Sequence, residues 1–213
     1  MKQLKVNEIF YSLQGESSYV GIPTIFIRLT GCPMRCGYCD TSYAFNEGKN
    51  FTLNEIEKTI SQYETKNITV TGGEPLAQKE SWNLLKSLCD KGYIVSLETG
   101  GAISISKIDD RVKIILDIKT PGSGEEKNNL WSNLELIKSK DEIKFVITDH
   151  NDYIWAKEIL VKEKLNEKAS VLFSPVYGNI EPKDLAEWIL DDHLPVRFQI
   201  QLHKMIWGQI PGV

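Results

Sequence analysis

A chain of 213 residues with a formal net charge of −4 is long enough for one buried core, and one domain spanning 1–213 is predicted. The acidic balance excludes a protein built mainly to grip a nucleic-acid backbone. No apolar run reaches the ~18 residues of a membrane span and no apolar leader is seen, so a cytoplasmic protein with no membrane partner is expected.

Leu4 to Ser12 reads as a strand, followed by the polar turn Leu13-Gln14-Gly15-Glu16-Ser17-Ser18, where Gly15 lets the backbone bend. The β-branched and aromatic run Thr24 to Thr30 predicts a second strand. It leads straight into Gly31-Cys32-Pro33-Met34-Arg35-Cys36-Gly37-Tyr38-Cys39-Asp40-Thr41. Thr52 and Glu55 form a capping box that opens a helix with Leu53, Ile56 and Ile60 as its stripe. Asn67 to Thr71 is a strand closed by the turn Gly72-Gly73-Glu74-Pro75. Trp82, Leu85, Leu88 and Cys89 mark a helix face. Tyr93 to Leu97 is a strand ending at Glu98-Thr99-Gly100-Gly101, and Lys113 to Leu116 another ending at Asp117-Ile118-Lys119. Leu130, Leu134 and Ile137 predict a helix, Glu142 to Ile147 a strand, and Asp152 to Leu165 a helix. Val171 to Phe173 is a strand ending at Ser174-Pro175. Leu185, Trp188 and Ile189 mark the last clear helix, and Val196 to Leu202 the last strand.

Strands alternating with helices imply βαβ units and a mainly parallel sheet. A closed barrel of eight such units takes ~250 residues and this chain has room for about six, so the predicted class is α/β, an incomplete (partial) TIM-like barrel of parallel strands with outer helices. The chemically distinctive residues fall just after strand ends, the edge where parallel sheets bind ligands.

Three of the four cysteines lie within eight residues as C-x3-C-x2-C. Soft thiolates on one short loop can converge on a metal centre. Three ligands are one short of a closed zinc site. They suit a 4Fe–4S cluster with one iron open to the amino and carboxylate groups of S-adenosylmethionine. Zinc with Asp40 or a distant histidine as fourth ligand, and a disulfide, are competing readings of the same spacing. The crowding of three cysteines and the missing leader favour a reducing compartment. Cys89, on a helix face, reads as a core residue.

The loop ending Tyr38-Cys39-Asp40-Thr41 resembles the cluster loop of radical S-adenosylmethionine enzymes. Thr71-Gly72-Gly73-Glu74-Pro75 resembles that superfamily's motif for the cofactor's amino group, with carbonyls and Glu74 accepting from an ammonium. Leu13-Gln14-Gly15-Glu16, Phe26-Ile27-Arg28-Leu29, Thr41, Gly73, Pro175 and Gln201-Leu202-His203-Lys204 together resemble the 7-carboxy-7-deazaguanine synthase family, over most of the chain.

The resemblance implies a carbon–nitrogen lyase of 7-deazaguanine (queuosine precursor) biosynthesis. Its substrate would be 6-carboxy-5,6,7,8-tetrahydropterin, its product 7-carboxy-7-deazaguanine, with ammonia released. Electron transfer from the cluster would cleave S-adenosylmethionine, and the 5′-deoxyadenosyl radical would take a hydrogen from the pterin carbon bearing the carboxylate. The family pattern implies the cluster on Cys32, Cys36 and Cys39. It places S-adenosylmethionine beside Tyr38, Cys39, Asp40, Gly73, Asp117, Ile118, Lys119, Ser174, Pro175, Val176 and Tyr177. The pterin would meet Leu13, Gln14, Gly15, Arg28 and Thr71, with Mg²⁺ on Thr41. No catalytic residue beyond the cofactor-bound radical is implied. Partners would be the small-molecule pterin, an electron donor such as flavodoxin or ferredoxin, and a second copy in a homodimer.

Plainer readings stand beside these. Arg28 could form a salt bridge within the sheet, Asp117 and Lys119 could pair with each other, and Thr41 could cap a turn. Glu98 fits either the guanidine-like edge of a pterin or a solvated loop. Ser17 stands where the family pattern has Gly, a strained choice if φ is positive there. Asp117-Ile118-Lys119 stands where the pattern has Ser-Pro-Lys, and only Lys119 transfers directly. The tail Ile210 to Val213 has no assigned place. The chief alternative function is a glycyl-radical-enzyme activase, which would need neither Thr41 as a magnesium ligand nor Gln14-Gly15-Glu16 as a pterin clamp. A zinc-binding, non-enzymatic module is the third reading.

Overall fold

The inner strands carry aliphatic residues at alternate positions, and helices cover that face of the sheet. The computed structural model describes residues 3–213. Its strands are β1 (Gln3–Leu13), β2 (Pro23–Leu29), β3 (Lys49–Thr52), β4 (Asn67–Gly72), β5 (Ile94–Thr99), β6 (Lys113–Ile118), β7 (Glu142–Ile147), β8 (Ser170–Pro175) and β9 (Arg197–Phe198). Its helices are α1 (Leu53–Ile60), α2 (Ser81–Asp90), α3 (His150–Lys162), α4 (Leu165–Lys168), α5 (Pro182–Asp191) and α6 (Leu202–Trp207). All nine strands form one sheet in the order β3-β1-β2-β4-β5-β6-β7-β8-β9. From β2 through β4 to β9 every pairing is parallel, whereas β1 runs antiparallel to β2 and β3. Among the described residues β3 and β9 do not pair, so the sheet is an open, partial barrel.

The period of two divides each strand between two environments. Ile68 and Val70, Val95 and Leu97, Ile114 and Leu116, and Ile143 and Phe145 belong to the apolar core. The helices supply Ile56 and Ile60, Leu84 and Leu88, and Ala156 and Leu160 to the same core. The alternate residues Thr69, Thr71, Ser96, Glu98, Asp117 and Lys144 take the opposite, inner face. There Thr69 Oγ1 meets Ser96 Oγ at 2.8 Å, and Thr71 Oγ1 donates to Glu98 Oε2 at 2.9 Å.

The capping box at Thr52 and Glu55 is present, as the sequence predicts. Three expectations fail. No α-helix carries Leu130, Leu134 and Ile137; the segment forms 3-10 turns at Pro121–Ser123, Glu126–Asn128 and Trp131–Glu135. The reason is Asn133, whose amide donates to the carbonyls of Gly101 and Ile103 and accepts from Ile105 N, holding the chain as a loop. The last strand is Arg197–Phe198 alone: Gln199 N makes one more bond, to Phe173 O at 3.0 Å, while its side chain binds the Ser17 backbone, and Leu202 begins α6. Finally, β5, β6 and β8 run to Thr99, Ile118 and Pro175, so Glu98, Asp117, Ile118, Ser174 and Pro175 are strand residues. Two smaller differences are β3, which the sequence does not announce, and the helix expected over 152–165. That helix starts at His150 and ends at Lys162, before Lys164 at φ 50°.

Candidate active site

The turn after β1 crosses the inner face of the sheet and forms a floor. Gln14 is buried, and its Nε2 donates to Thr69 Oγ1 at 3.0 Å and Glu98 Oε1 at 3.4 Å. Its Oε1 accepts from Glu16 N. Ser17 is buried at φ 65°, the positive value its place in a Gly position anticipates. Gln199 clamps it, Oε1 accepting from Ser17 N at 2.7 Å and Nε2 donating to Ser17 O at 2.9 Å. Ser18 N donates to Glu142 at the start of β7.

The cysteine loop lies above this floor. Gly37 N donates to Ser123 O at 3.0 Å and Arg35 N to Glu125 Oε1 at 2.6 Å. The loop that receives them is itself organised by buried Asp152 of α3, which accepts from Thr120 Oγ1 and Gly122 N at 2.8 Å each. On the other side Glu74 N donates to Gly31 O at 2.8 Å. A Cβ at Gly73 would collide with that same carbonyl, so only glycine lets the two loops approach. Cys32, Cys36 and Cys39 are free, half-buried thiols lining one cavity of about 430 Å³. Burial pushes the Cys36 thiol up to about 11 and raises that of Cys32. Among the described residues no three of His, Cys, Asp or Glu are gathered as a single ion requires. Three soft sulfurs on separate arms of one loop fit a cubane, which takes each thiolate on a different iron.

Thr41 also lines the cavity, and its hydroxyl donates to Asp40 Oδ1 at 2.8 Å. Asp40 Oδ2 pairs with Lys204 Nζ of α6 at 2.5 Å. Burial opposes ionisation of Asp40, yet the Lys204 ammonium and the Thr41 hydroxyl hold its carboxyl well below the usual range. Leu202 N donates to Gly15 O, so α6 is seated on the floor turn. The tail 208–213, unplaced by sequence, lines the same cavity.

The inner wall is charged. Lys144 Nζ lies 2.7 Å from Glu16 Oε2, and Gln201 Nε2 donates to Glu16 Oε1 at 2.7 Å. Burial opposes charge on Glu16, but Lys144 and Gln201 outweigh it and hold its carboxyl at about 2. Burial, reinforced by repulsion from Glu16, instead raises Glu98. Glu98 is therefore no solvated loop carboxylate: it is bound to Thr71 and Gln14 on β5. Lys119 Nζ and Asp117 Oδ2 do pair, at 3.0 Å. Arg28 Nε pairs with Glu8 Oε1 at 2.7 Å, within the β1–β2 pair, and its guanidinium lies 5.7 Å from the Phe10 ring centroid.

The cavity brings together Leu13, Gln14, Gly15, Arg28, Tyr38, Cys39, Asp40, Thr41, Thr71, Gly73, Asp117, Lys119, Val176 and Tyr177 with the other two cysteines. Ile118, Ser174 and Pro175 are buried outside its lining. Glu74, expected together with the turn carbonyls to accept from an ammonium, also lies outside the lining. It is fully buried, and its carboxylate already accepts from Leu76 N, Thr99 Oγ1 and Gly100 N, which ties the β4 and β5 ends together. Sequence reasoning missed Lys144 as a wall residue, and Phe10 and Phe26, whose rings stack 4.9 Å apart in the lining. The available signal was one polar residue at each inner strand position, legible only once the two faces are distinguished.

An open parallel barrel with a three-cysteine loop at its strand ends defines a radical S-adenosylmethionine enzyme, a class that works with a 4Fe–4S cluster and S-adenosylmethionine. The family model described as the radical SAM superfamily matches residues 26–120. The 7-carboxy-7-deazaguanine synthase of Chlorobaculum tepidum is 45% identical over 208 residues, covering 96% of this chain and 94% of its own. That of Koribacter versatilis is 40% identical and covers 96% of this chain and 97% of its own. The chain belongs to the 7-carboxy-7-deazaguanine synthase family. The crystal structure of QueE from Escherichia coli shares the fold, with a TM-score of 0.78 at 22% identity over 95% of this chain and 96% of that one. The activase and zinc-module readings are set aside on these grounds. Among the described residues no helix is long and apolar enough to cross a membrane.

Proposed function

We propose that this chain, acting as a single domain over 1–213, converts 6-carboxy-5,6,7,8-tetrahydropterin into 7-carboxy-7-deazaguanine and ammonia, as a carbon–nitrogen lyase of 7-deazaguanine biosynthesis. The observation that carries the reading is one cavity in which the cysteine loop faces a wall bearing Arg28, Thr71 and Glu98. Cys32, Cys36 and Cys39 would hold the cluster. When bound, the cluster and S-adenosylmethionine supply a one-electron reduction that ends in hydrogen abstraction from the substrate.

The chain's own residues bind and orient. Tyr38, Asp40, Gly73, Asp117, Lys119, Val176 and Tyr177 line the cofactor side, with Ile118, Ser174 and Pro175 supporting them from behind. Leu13 and Gly15 flank the pterin, while Gln14, engaged by Thr69, Glu98 and Glu16, keeps Glu98 in place. Glu98 suits the guanidine-like edge. Glu8 takes only the Nε of Arg28, so the guanidinium fork remains for the substrate carboxylate. The Thr41 hydroxyl donates its hydrogen bond to Asp40, which leaves oxygen lone pairs for Mg²⁺, a hard cation that takes few protein ligands and completes its shell with water and substrate. The reductant would be a flavodoxin or ferredoxin, and the family relationship supports a homodimer.

The test is turnover by anaerobically reconstituted protein with S-adenosylmethionine, a reductant, Mg²⁺ and the carboxytetrahydropterin. The expected result is a deazapurine of the product's mass and spectrum. A protein that cleaves S-adenosylmethionine but never forms the deazapurine overturns the reading.

A further inference from the structure

We propose that Lys144 is a positioning residue that couples the substrate side of the cavity to the cofactor side, so that each ligand tightens the other. The inference rests on the functional reading above, in which both ligands share this cavity. Lys144 lies mid-strand in β7, in register with Asp117 of β6. Its side chain is 11% exposed. One ammonium reaches two carboxylates unequally, at 2.7 Å from Glu16 Oε2 and 3.6 Å from Asp117 Oδ2.

The two carboxylates belong to different sides. Glu16 sits on the floor turn, next to the segment assigned to the pterin. Asp117 shares its strand end with Lys119, whose Nζ holds the same Oδ2 at 3.0 Å. The other oxygen of Asp117, Oδ1, is buried with no hydrogen-bond partner. Asp117 is thus held through Oδ2 alone, by Lys119 and, at the longer distance, by Lys144, which is drawn toward Glu16 instead. A substrate group that engages Glu16 releases Lys144 toward Asp117. A cofactor group that draws Lys119 away leaves Asp117 for Lys144. Either event changes what the other ligand meets.

A buried ion pair is weak evidence for a stabilising role, since desolvation offsets the attraction. A cation shared between competing carboxylates has two arrangements that two ligands can bias, which is the physical requirement for coupling.

The experiment is calorimetric titration of the reconstituted enzyme with S-adenosylmethionine, with and without the carboxytetrahydropterin, and with no reductant so that nothing turns over. In the wild type the pterin is expected to tighten S-adenosylmethionine about fivefold or more. Lys144→Met is expected to weaken each ligand taken singly and to lose the mutual effect, the ratio of S-adenosylmethionine affinities with and without the pterin falling to about one, whereas Lys144→Arg, which keeps the cation, retains it. If Lys144→Met fails to hold its cluster, Lys144→Gln, neutral but still polar, is read the same way. Wild-type coupling in either neutral variant overturns the inference. A wild type that binds both ligands with no mutual effect also overturns it and leaves the function standing. A wild type that binds no pterin overturns the functional reading and this inference with it.

Discussion

The hydroxyl of Thr41 donates to Asp40 Oδ1 at 2.8 Å and makes no cap on the 3-10 turn that follows it. The turn forms without that side chain, since Ala44 N donates to the Thr41 carbonyl. Thr41→Ala is therefore expected to leave the cysteine loop and its iron content intact while stimulation of turnover by Mg²⁺ disappears. Iron analysis and a Mg²⁺ titration of product formation on this variant check it. Full stimulation in Thr41→Ala would remove Thr41 from the metal site.

Cys32→Ala, Cys36→Ala and Cys39→Ala are each expected to abolish S-adenosylmethionine cleavage, because each thiolate would hold one iron of the cluster. Cys89→Ala is expected to keep it, since that thiol is buried in the core on α2. Iron and sulfide content together with 5′-deoxyadenosine formation give the measurement. A cluster lost with Cys89 and kept without Cys36 contradicts the assignment.

Arg28→Lys is expected to lose product formation while S-adenosylmethionine binding stays. Lysine keeps a charge beside Glu8 but lacks the second arm of the fork. Unchanged turnover would mean that Arg28 serves only its ion pair in the sheet.

Gln199→Leu removes both hydrogen bonds to the Ser17 backbone, leaving the buried Ser17 N–H without a partner and its C=O with only the long bond from Val20 N at 3.4 Å. At about 1–3 kcal/mol for a buried group left unpaired, the expected loss is about 1–3 kcal/mol, read as a lower urea midpoint at unchanged slope. Ser17→Gly is expected to change little. Relief of a left-handed residue, about 1–2 kcal/mol, is offset by the lost bond from Tyr19 N to Ser17 Oγ and by glycine's greater unfolded entropy. A midpoint unmoved by Gln199→Leu would show that the floor turn is held by other contacts.

Most of the strands, the Thr52–Glu55 cap and the three cysteines were legible in the chain because each depends on neighbours a few positions away. Side-chain period, capping and ligand spacing are local, and so they survive in one dimension. The failures were equally physical. Leu130, Leu134 and Ile137 have helical spacing, but Asn133 binds carbonyls at Gly101 and Ile103 that sequence cannot bring near. The bonds of Glu74 to Thr99 and Gly100, which tie two strand ends together, were likewise not legible, because both partners arrive with the next strand.

The sequence by itself determined the chemistry that one loop can carry: three soft ligands, a hydroxyl beyond them and an arginine on the strand before them. Only the tertiary structure decided what surrounds that chemistry. Gln201 and Glu16 stand 185 positions apart, and Lys144 and Glu16 stand 128 apart. Their hydrogen bonds form because the sheet curls and the floor turn crosses its inner face. The same curl excludes water from the wall and separates Glu16, held ionised by Lys144 and Gln201 against its burial, from Glu98, whose burial raises its pKa. Desolvation and long-range pairing depend on which atoms are near in space, and no pattern along the chain encodes that distance.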